Sequence, residues 1–375
     1  MPSPSDVPRV HELDPLADAR WIEFVNTHPR ASVFHTPNWL RALHLTYGYH
    51  PVALSTARPT EPLKNGVVFC QINSWLTGRR LVSLPFSDHC EPLVETQEDL
   101  DAMLGHLLQA TERNTRASEP RPSGSGLPPF STSRNNRNNR YIELRPVLTT
   151  PGPSTGFSPS DTYLFHLLDL SPGREALFRT FHKDSVQRKI KRAEREALAY
   201  ESGNSPDLLE KFYRLTIMTR RRQHNPPQPI SWFQNLTRTF GNALQIRVAS
   251  HKGLPIASIL TLKHGSTITY KYGCSDARFN NLGGTQLLFW RTIQEATQEG
   301  LTELDMGRSS VDNQGLIAFK EHWDARRSTL KYWRFPVRRA LEGCAWKSNL
   351  KNRLVDIVPD WCLVAAGRLL YPHIG

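Results

Sequence analysis

Cysteine is scarce, five residues in 375, and the five are scattered: Cys70, Cys90, Cys274, Cys344 and Cys362 form no C-x-x-C pair and none stands at zinc spacing from a histidine. An odd, dispersed set in a long chain argues against a disulfide framework and for reduced thiols in a cytosolic setting. The histidines are also dispersed, with no H-E-x-x-H, so no metal site is expected. No serine or cysteine occupies a nucleophile elbow. Long apolar runs are missing: WCLVAAG, near the C-terminus, is far too short to span a bilayer. The N-terminal stretch MPSPSDVPRVHELDP lacks the apolar core of a signal peptide. The expectation is a cytoplasmic protein, soluble or peripheral to the inner face of the plasma membrane. Acid is short as well, with 35 Asp+Glu against 47 Lys+Arg and a net charge of +12. That excess favours an anionic partner: a phosphate-rich cofactor, a nucleic acid or an anionic membrane surface.

What is present reads as mixed α/β. The length exceeds one ordinary core, so two domains are expected. Residues 17–27 have helical spacing, and TPNWLRALHLTYG opens with a Thr-Pro cap and puts Trp39, Leu40 and Leu43 on one helical face. PVALSTA, GVVFCQIN and RRLVSLPF read as strands, QEDLDAMLGHLLQATER as an amphipathic helix and YIELRPV as a strand. Between the last two, residues 117–140 (ASEPRPSGSGLPPFSTSRNNRNNR) are low in complexity and cannot bury enough surface to offset their ordering entropy. They are expected to be a disordered insertion in a first domain of residues 1–160. The boundary falls in the Pro/Gly/Ser-rich LTTPGPSTGFSPSD.

Residues 161–336 are expected to form the second, catalytic domain. The pattern gives a strand at TYLFHLLDL, one long helix from about Glu175 to Leu198, and a second helix at LLEKFYRLTIMTRRR. Three antiparallel strands follow (LQIRVAS, PIASILTLKH, STITYKYGCS), then a helix ending at Gly300, the strand LTELDMG, the helix GLIAFKEHW and the strand STLKYWRFP. Residues 337–375 form a basic, Trp-bearing tail, either a helix pair docked on the body or a segment lying on an anionic membrane.

Several groups carry possible chemistry. Arg188, Lys191, Arg192 and Arg195 share one helical face, either solvated or an anion-binding stripe. Arg220, Arg221, Arg222 and His224 end a helix before Asn-Pro-Pro, where cations suit the helix dipole and would equally suit a diphosphate or an RNA backbone. Tyr270 and Tyr272 are two apart on a strand, hence on one face with Lys271 opposite, serving the core or a groove. Asp305 ends its strand, where ligands bind in open sheets; it is either a general base or an organiser that caps the loop or pairs with Arg308.

The strand meander, then RFNNLGGTQLL opening a helix, then a further strand, resembles the acyl-CoA N-acyltransferase (GNAT) arrangement. That resemblance implies a donor loop at Gly283, Gly284 and Thr285, whose helix start would meet a pyrophosphate. The family's Arg/Gln-x-x-Gly-x-Gly/Ala pattern falls on Asn280, Gly283 and Thr285, so two of three positions depart from it. A turn with glycine as packing spacer explains the same residues.

More broadly, SVFHTPNWLRALHLTYGY, QRKIKRAEREAL, FYRLTIMTRRRQHNPP, YKYGCSDARFNNLGG, LLFWRTIQEATQEGLTELDMGRS and GLIAFKEHWDAR followed by LKYW resemble, in that order, the Fem-type aminoacyltransferases. The resemblance implies two GNAT-like domains, each a mixed, mostly antiparallel sheet flanked by helices, facing each other across a groove. It implies transfer of an acyl or aminoacyl group to an amine of an anionic envelope precursor, nucleotide- or lipid-linked, as in peptidoglycan synthesis. No tightly bound cofactor is implied; the donor is aminoacyl-tRNA or acyl-CoA. Carried over residue by residue, the active-site Phe-Lys pair of the family falls on Phe319 and Lys320. Lys320 stands one turn into a helix beginning near Gly315, so its ammonium and the helix start are expected to face an oxyanion or a phosphate, aided by Arg308. Trp323-Asp324-Ala325 departs from the family pattern by lacking the central glycine. A small-molecule N-acetyltransferase and a non-catalytic scaffold for a polyanion are the other readings.

Overall fold

The computed structural model describes residues 8–116, 141–147, 156–335 and 358–375. The expected insertion at 117–140, most of the linker and residues 337–357 of the tail lie outside the described residues.

Twelve strands form one sheet in the order β1-β2-β3-β4-β5-β12-β6-β11-β10-β9-β8-β7. In the first half these are β1 (His11–Leu13), β2 (His50–Ser55), β3 (Val67–Ser74), β4 (Gly78–Val82) and β5 (Tyr141–Leu144). The second half supplies β6 (Ser158–Asp169), β7 (Ala199–Gly203), β8 (Leu244–His251), β9 (Leu254–His264), β10 (Thr267–Ser275), β11 (Glu303–Ser310) and β12 (Arg326–Phe335). The order is nearly palindromic, for β1 to β5 run inward from one edge as β7 to β11 do from the other. Each run is antiparallel except its innermost pair. β4–β5 and β10–β11 are parallel, and a parallel pair needs a crossover, usually a helix. Those crossovers are α3 (Gln97–Arg116) and α8 (Gly284–Gln298). A structural repeat therefore exists where no sequence repeat is visible. β6 and β12 of the second half fill the centre, and β12 pairs with β5, making the sheet continuous across the two halves.

Local signals explain most elements. In α1 (Ala19–Thr27), Asp18 caps the first turn through its carboxylate. α2 (Pro37–Tyr47) has Thr36 as N-cap, Pro37 in its first turn and Gly48 left-handed at its end. The β8–β9 hairpin turns on Lys252 and Gly253, both at positive φ, the backbone that a tight two-residue hairpin requires.

The structure departs from the sequence expectations at four points. The long helix at 175–198 is two helices, α4 (Arg174–Thr180) and α5 (Arg188–Arg195). Phe181 and His182 are extended and Lys183–Gln187 is a π-turn. Phe181 leaves the helical path to bury itself against Trp290 and Trp323. Between α6 (Pro206–Arg222) and β8 lies an unanticipated helix, α7 (Ile230–Phe240), which buries Trp232, Phe233, Leu236 and Phe240. β7 was also not anticipated. Finally, β11 continues to Ser310 instead of stopping at Asp305.

The largest core cluster ignores the halves: Trp21, Trp39 and Val68 from the first pack with Phe212, Trp232 and Leu260 from the second. Trp39 meets Trp232 edge-on at 5.2 Å. α8, α9 (Gln314–Glu321) and the turn after α9 cover the opposite face through Phe289, Trp290, Ile293 and Trp323. The final helix, α10 (Asp360–Ile374), docks on both halves. Tyr49 donates to its Tyr371 carbonyl at 3.1 Å, and Tyr371 donates to the Pro226 carbonyl at 3.2 Å. The described part of the tail is thus seated on the body.

Candidate active site

β10 and β11 pair only from Thr267/Glu303 to Thr269/Asp305. Beyond that register β10 stays with β9, β11 stays with β6, and the two strands part. Each is bulged at the fork, β10 between Tyr270 and Tyr272 and β11 between Asp305 and Arg308. A bulge re-aims side chains, and here it corrects the expectation that the tyrosines share a face. Tyr270 packs on Phe289 of α8, whereas Tyr272 packs on Phe233 of α7 and accepts a hydrogen bond from Trp232 Nε1 at 2.8 Å. Lys271 lies on the Tyr272 side, its Nζ 5.4 to 5.8 Å from the ring centroids of Phe34, Trp39 and Tyr272.

Into this fork reaches a loop of the first half, residues 83–93, which follows β4. Leu84 and Phe86 both have positive φ, 68° and 59°, a conformation costly for bulky side chains and concentrated at functional sites. The loop is over-determined by Arg145, which donates to the Leu84 carbonyl at 2.8 Å and to the Ser87 carbonyl at 3.3 Å. Arg145 is itself held by Glu143 at 2.8 Å.

The loop delivers Asp88 and His89. Asp88 Oδ2 accepts from Lys271 Nζ at 2.9 Å, Oδ1 lies 3.8 Å from Arg308 Nε, and its carbonyl accepts from Tyr332 at 2.7 Å. Burial pushes the Asp88 carboxyl upward, but Lys271 and Arg308 outweigh it and hold the group below the ordinary range. Burial lowers the Lys271 ammonium, and Asp88 opposes that fall. His89 Nε2 lies 2.9 Å from Asp305 Oδ2. With the carboxylate as acceptor, Nε2 carries the hydrogen and Nδ1 the lone pair, and Nδ1 is buried without a partner. The other Asp305 oxygen accepts from Gly307 N at 2.7 Å. Gly307, at φ 71°, also makes room for the loop, since a Cβ there would meet Asp88 Oδ2 at 3.0 Å.

Lys320 stands in the last turn of α9, at the opposite end from the helix N-terminus with which the sequence associates it. The residue is 1% exposed. It donates to the Gly307 carbonyl at 2.8 Å and the Arg308 carbonyl at 3.0 Å, clasping the bulge. Burial lowers it to about 8, against the pull of Asp88 and Asp305. Phe319 packs into the core on Phe289. Arg308 remains partly exposed, stacked 4.3 Å over Tyr163 and donating to Tyr332 Oη at 2.6 Å.

The other candidates lie elsewhere. Arg188 pairs with Asp184 and Arg192 with Glu196, both exposed on α5. Arg221 binds Asp360 at 2.5 Å and so ties down α10, and Arg222 donates to the Ser275 carbonyl at 3.1 Å. A Cβ on Gly283 would strike the backbone carbonyl of Lys189, and one on Gly284 would meet Ala257 at 3.2 Å. The glycines thus let α5 and β9 approach the loop, which is the spacer reading. Thr285 follows them in the first turn of α8.

Two cavities flank the fork. One of about 210 Å³ is lined by His89, Asp305, Glu91, Glu303, Arg30 and apolar side chains such as Phe165 and Leu167. The other, about 130 Å³ and mainly polar, is lined by Arg220, Lys271, Tyr272, Thr216 and Gln228. Among the described residues no cluster of histidine, cysteine and acidic side chains could hold a metal.

Residues 181–321 match the family described as acetyltransferase (GNAT) domain. The chain carries a GNAT domain. The GNAT match contains Lys271, Asp305, Arg308 and Lys320 but neither Asp88 nor His89, which the first half contributes. A UDP-N-acetylmuramoylpentapeptide-lysine N(6)-alanyltransferase from Weissella viridescens is 30% identical over 95 residues, 25% of this chain and 28% of that relative. The match thus spans little more than a quarter of the relative's length. FemX has a similar structure, with TM-score 0.62, 13% identity, and coverage of 86% of this chain and 96% of the other. L-PGS from Bacillus licheniformis aligns at 0.54, with 10% identity over 96% and 98% of the two chains. A tandem GNAT protein from the clavulanic acid biosynthesis pathway aligns at 0.53, with 11% identity over 87% and 97%. At these identities the likeness is one of fold.

The site was only partly visible in the sequence. The sequence marks Asp305, Arg308 and Lys320, and it marks Tyr272, which lines a cavity. It does not mark Asp88, His89 or the pairing of Lys271 with Asp88. The one signal was the Asp-His dipeptide in a proline-bounded loop, FSDHCEP.

Proposed function

We propose that the protein is an N-acyltransferase that moves an aminoacyl group from an aminoacyl ester to an amine on an anionic cell-envelope precursor. The observation that carries this reading is the cross-half cluster at the fork, in which Asp88 and His89 of one half meet Lys271, Asp305 and Arg308 of the other. Amine attack on an ester carbonyl needs a proton acceptor on the nucleophile's side and donors where negative charge gathers on oxygen. The lone pair of His89 Nδ1 accepts the proton as the C–N bond forms, and Asp305 stabilises the resulting imidazolium and fixes its tautomer. Arg308, the cation at the fork that remains partly exposed, faces the oxyanion, while Lys320 acts through the Gly307 and Arg308 carbonyls as a positioning residue. The tetrahedral adduct collapses by breaking the ester C–O bond, and the leaving hydroxyl takes the proton back from His89.

The cavity with His89, Asp305, Glu91 and Glu303 suits an ammonium on an aliphatic chain, and the one with Arg220 and Lys271 suits a phosphate-bearing donor. The partial likeness to an alanyltransferase acting on a muramoyl pentapeptide supports an envelope acceptor. The net charge of +12 suits tRNA as carrier of the ester. Acyl-CoA is the rival donor, and the packing of Gly283 against α5 weighs against a pyrophosphate there. The test is mass spectrometry of envelope-precursor pools incubated with the protein and either aminoacyl-tRNA or acetyl-CoA. An aminoacyl adduct is expected; an acetyl adduct, or none, would overturn the reading.

A further inference from the structure

The described residues include ten exposed large apolar side chains, and six of them belong to two adjoining segments. Trp75 and Leu76 form the tip of the β3–β4 hairpin, 85% and 51% exposed. Trp361, Leu369, Leu370 and Ile374 lie on α10, of which Trp361 and Leu369 are each 72% exposed. The segments are locked together. Ser74 Oγ lies 3.1 Å from His373 Nδ1, Thr77 donates to the His373 carbonyl at 2.7 Å, and Arg80 donates to the Gly375 carbonyl at 2.9 Å. The Trp75 ring meets His373 edge-on at 5.3 Å. At ~1.5 Å and ~100° per helical residue, Trp361 and Leu369 share the side of α10 away from the buried Leu363 and Gly367, roughly 12 Å apart along it. With the hairpin tip beside it, the face is apolar and preformed.

Its charge has one sign. Ser74–Val82 and Trp361–Gly375 contain no acidic side chain; Arg368 is exposed and Arg79 partly so, whereas Arg80 is buried on the Gly375 carbonyl. Asp360, just outside, is neutralised by Arg221. Exposed tryptophans among leucines and cations, without carboxylates, are the composition of a surface that lies in the headgroup region of an anionic bilayer. No described helix is long and apolar enough to cross a membrane, so contact of this kind is lateral.

We infer that the hairpin tip at Trp75–Leu76 and the outer face of α10 together dock the protein onto an anionic lipid surface. The inference does not depend on which acyl group is transferred, because binding is read without turnover. The test is sedimentation of the full chain with vesicles of phosphatidylcholine alone and of phosphatidylcholine mixed with phosphatidylglycerol. Binding is expected to the mixed vesicles, with a blue shift of tryptophan fluorescence. The Trp75→Ser/Trp361→Ser variant, whose substitutions are exposed and leave Tm unchanged, is expected to bind about ten-fold or more weakly, given the scale of burying apolar groups at an interface. Arg368→Gln is expected to weaken binding about five-fold, the effect of one cation near an anionic surface. Wild-type protein that stays in the supernatant with mixed vesicles would overturn the inference. So would undiminished binding by the double variant, or a concentration-dependent dimer abolished by the same substitutions, which would show a second copy as the occupant.

Discussion

His89 Nε2 and Asp305 Oδ2 are 2.9 Å apart, although 216 residues separate them in sequence and they belong to different halves of the protein. Both side chains are buried. The pair exists only because the strained loop after β4 enters the fork between β10 and β11, so the candidate chemistry depends on the junction of the halves.

The Asp88–Lys271 pair beside it is largely withdrawn from solvent, with side chains 16% and 6% exposed, and such pairs cost most when one partner is removed. Asp88→Asn is expected to destabilise the protein by about 3–5 kcal/mol, because it leaves an unpaired buried ammonium. Adding Lys271→Met should recover part of that loss. Urea denaturation of the single and double variants measures it, and additive losses would mean that the two side chains do not interact.

Lys320 gives stability a pH dependence of known sign. Its folded pKa is lowered to about 8 from 10.5. Between those values the unfolded state binds the proton and the folded state does not, so stability rises with pH across that window and is level in this respect on either side. The shift corresponds to roughly 3 kcal/mol in all. Lys320→Met is expected to remove the rise, and the difference between wild type and variant in denaturation midpoints from neutral to alkaline pH isolates it. Because Lys320 holds two bulge carbonyls, the variant should also be less stable at neutral pH.

Asp324 holds a left-handed turn, φ 63°, with an exposed side chain. The turn keeps its tight geometry without the glycine, since Asp tolerates this region at a cost. Asp324→Gly is expected to stabilise by roughly 0.5 kcal/mol, the strain relief less the added entropy of the unfolded chain. A lowered Tm would show that the carboxylate contributes more than the strain costs.

The Gly283 loop is filled by α5, so acetyl-CoA at ~1 mM, well above usual donor affinities, is expected to leave Tm unchanged. A rise of several degrees would restore the loop as a donor site.

How much of this was legible depended on range. Caps such as Thr36-Pro37 and periodicities such as that of α8 are local, and they gave the right elements. α7 was hidden because NPPQP before it reads as loop, although ISWFQNLTRTF has four residues for the core. The tyrosine assignment failed because strand period is two only until a bulge intervenes, and nothing in TYKYG marks one. The glycine pair resembled an anion loop because close packing and phosphate binding demand the same residue. Asp88 and His89 were invisible for a different reason: their partners come from the other half, and no single-chain periodicity reports contacts at that distance.

The most direct test of the cross-half site is the transfer rate of His89→Gln, which keeps a hydrogen-bonding side chain but cannot accept the proton. With aminoacyl-tRNA and the envelope-precursor pool, and with Tm verified, the rate is expected to fall about 10²–10⁴-fold, the usual contribution of a general base. A folded His89→Gln protein that transfers at the wild-type rate would contradict the account.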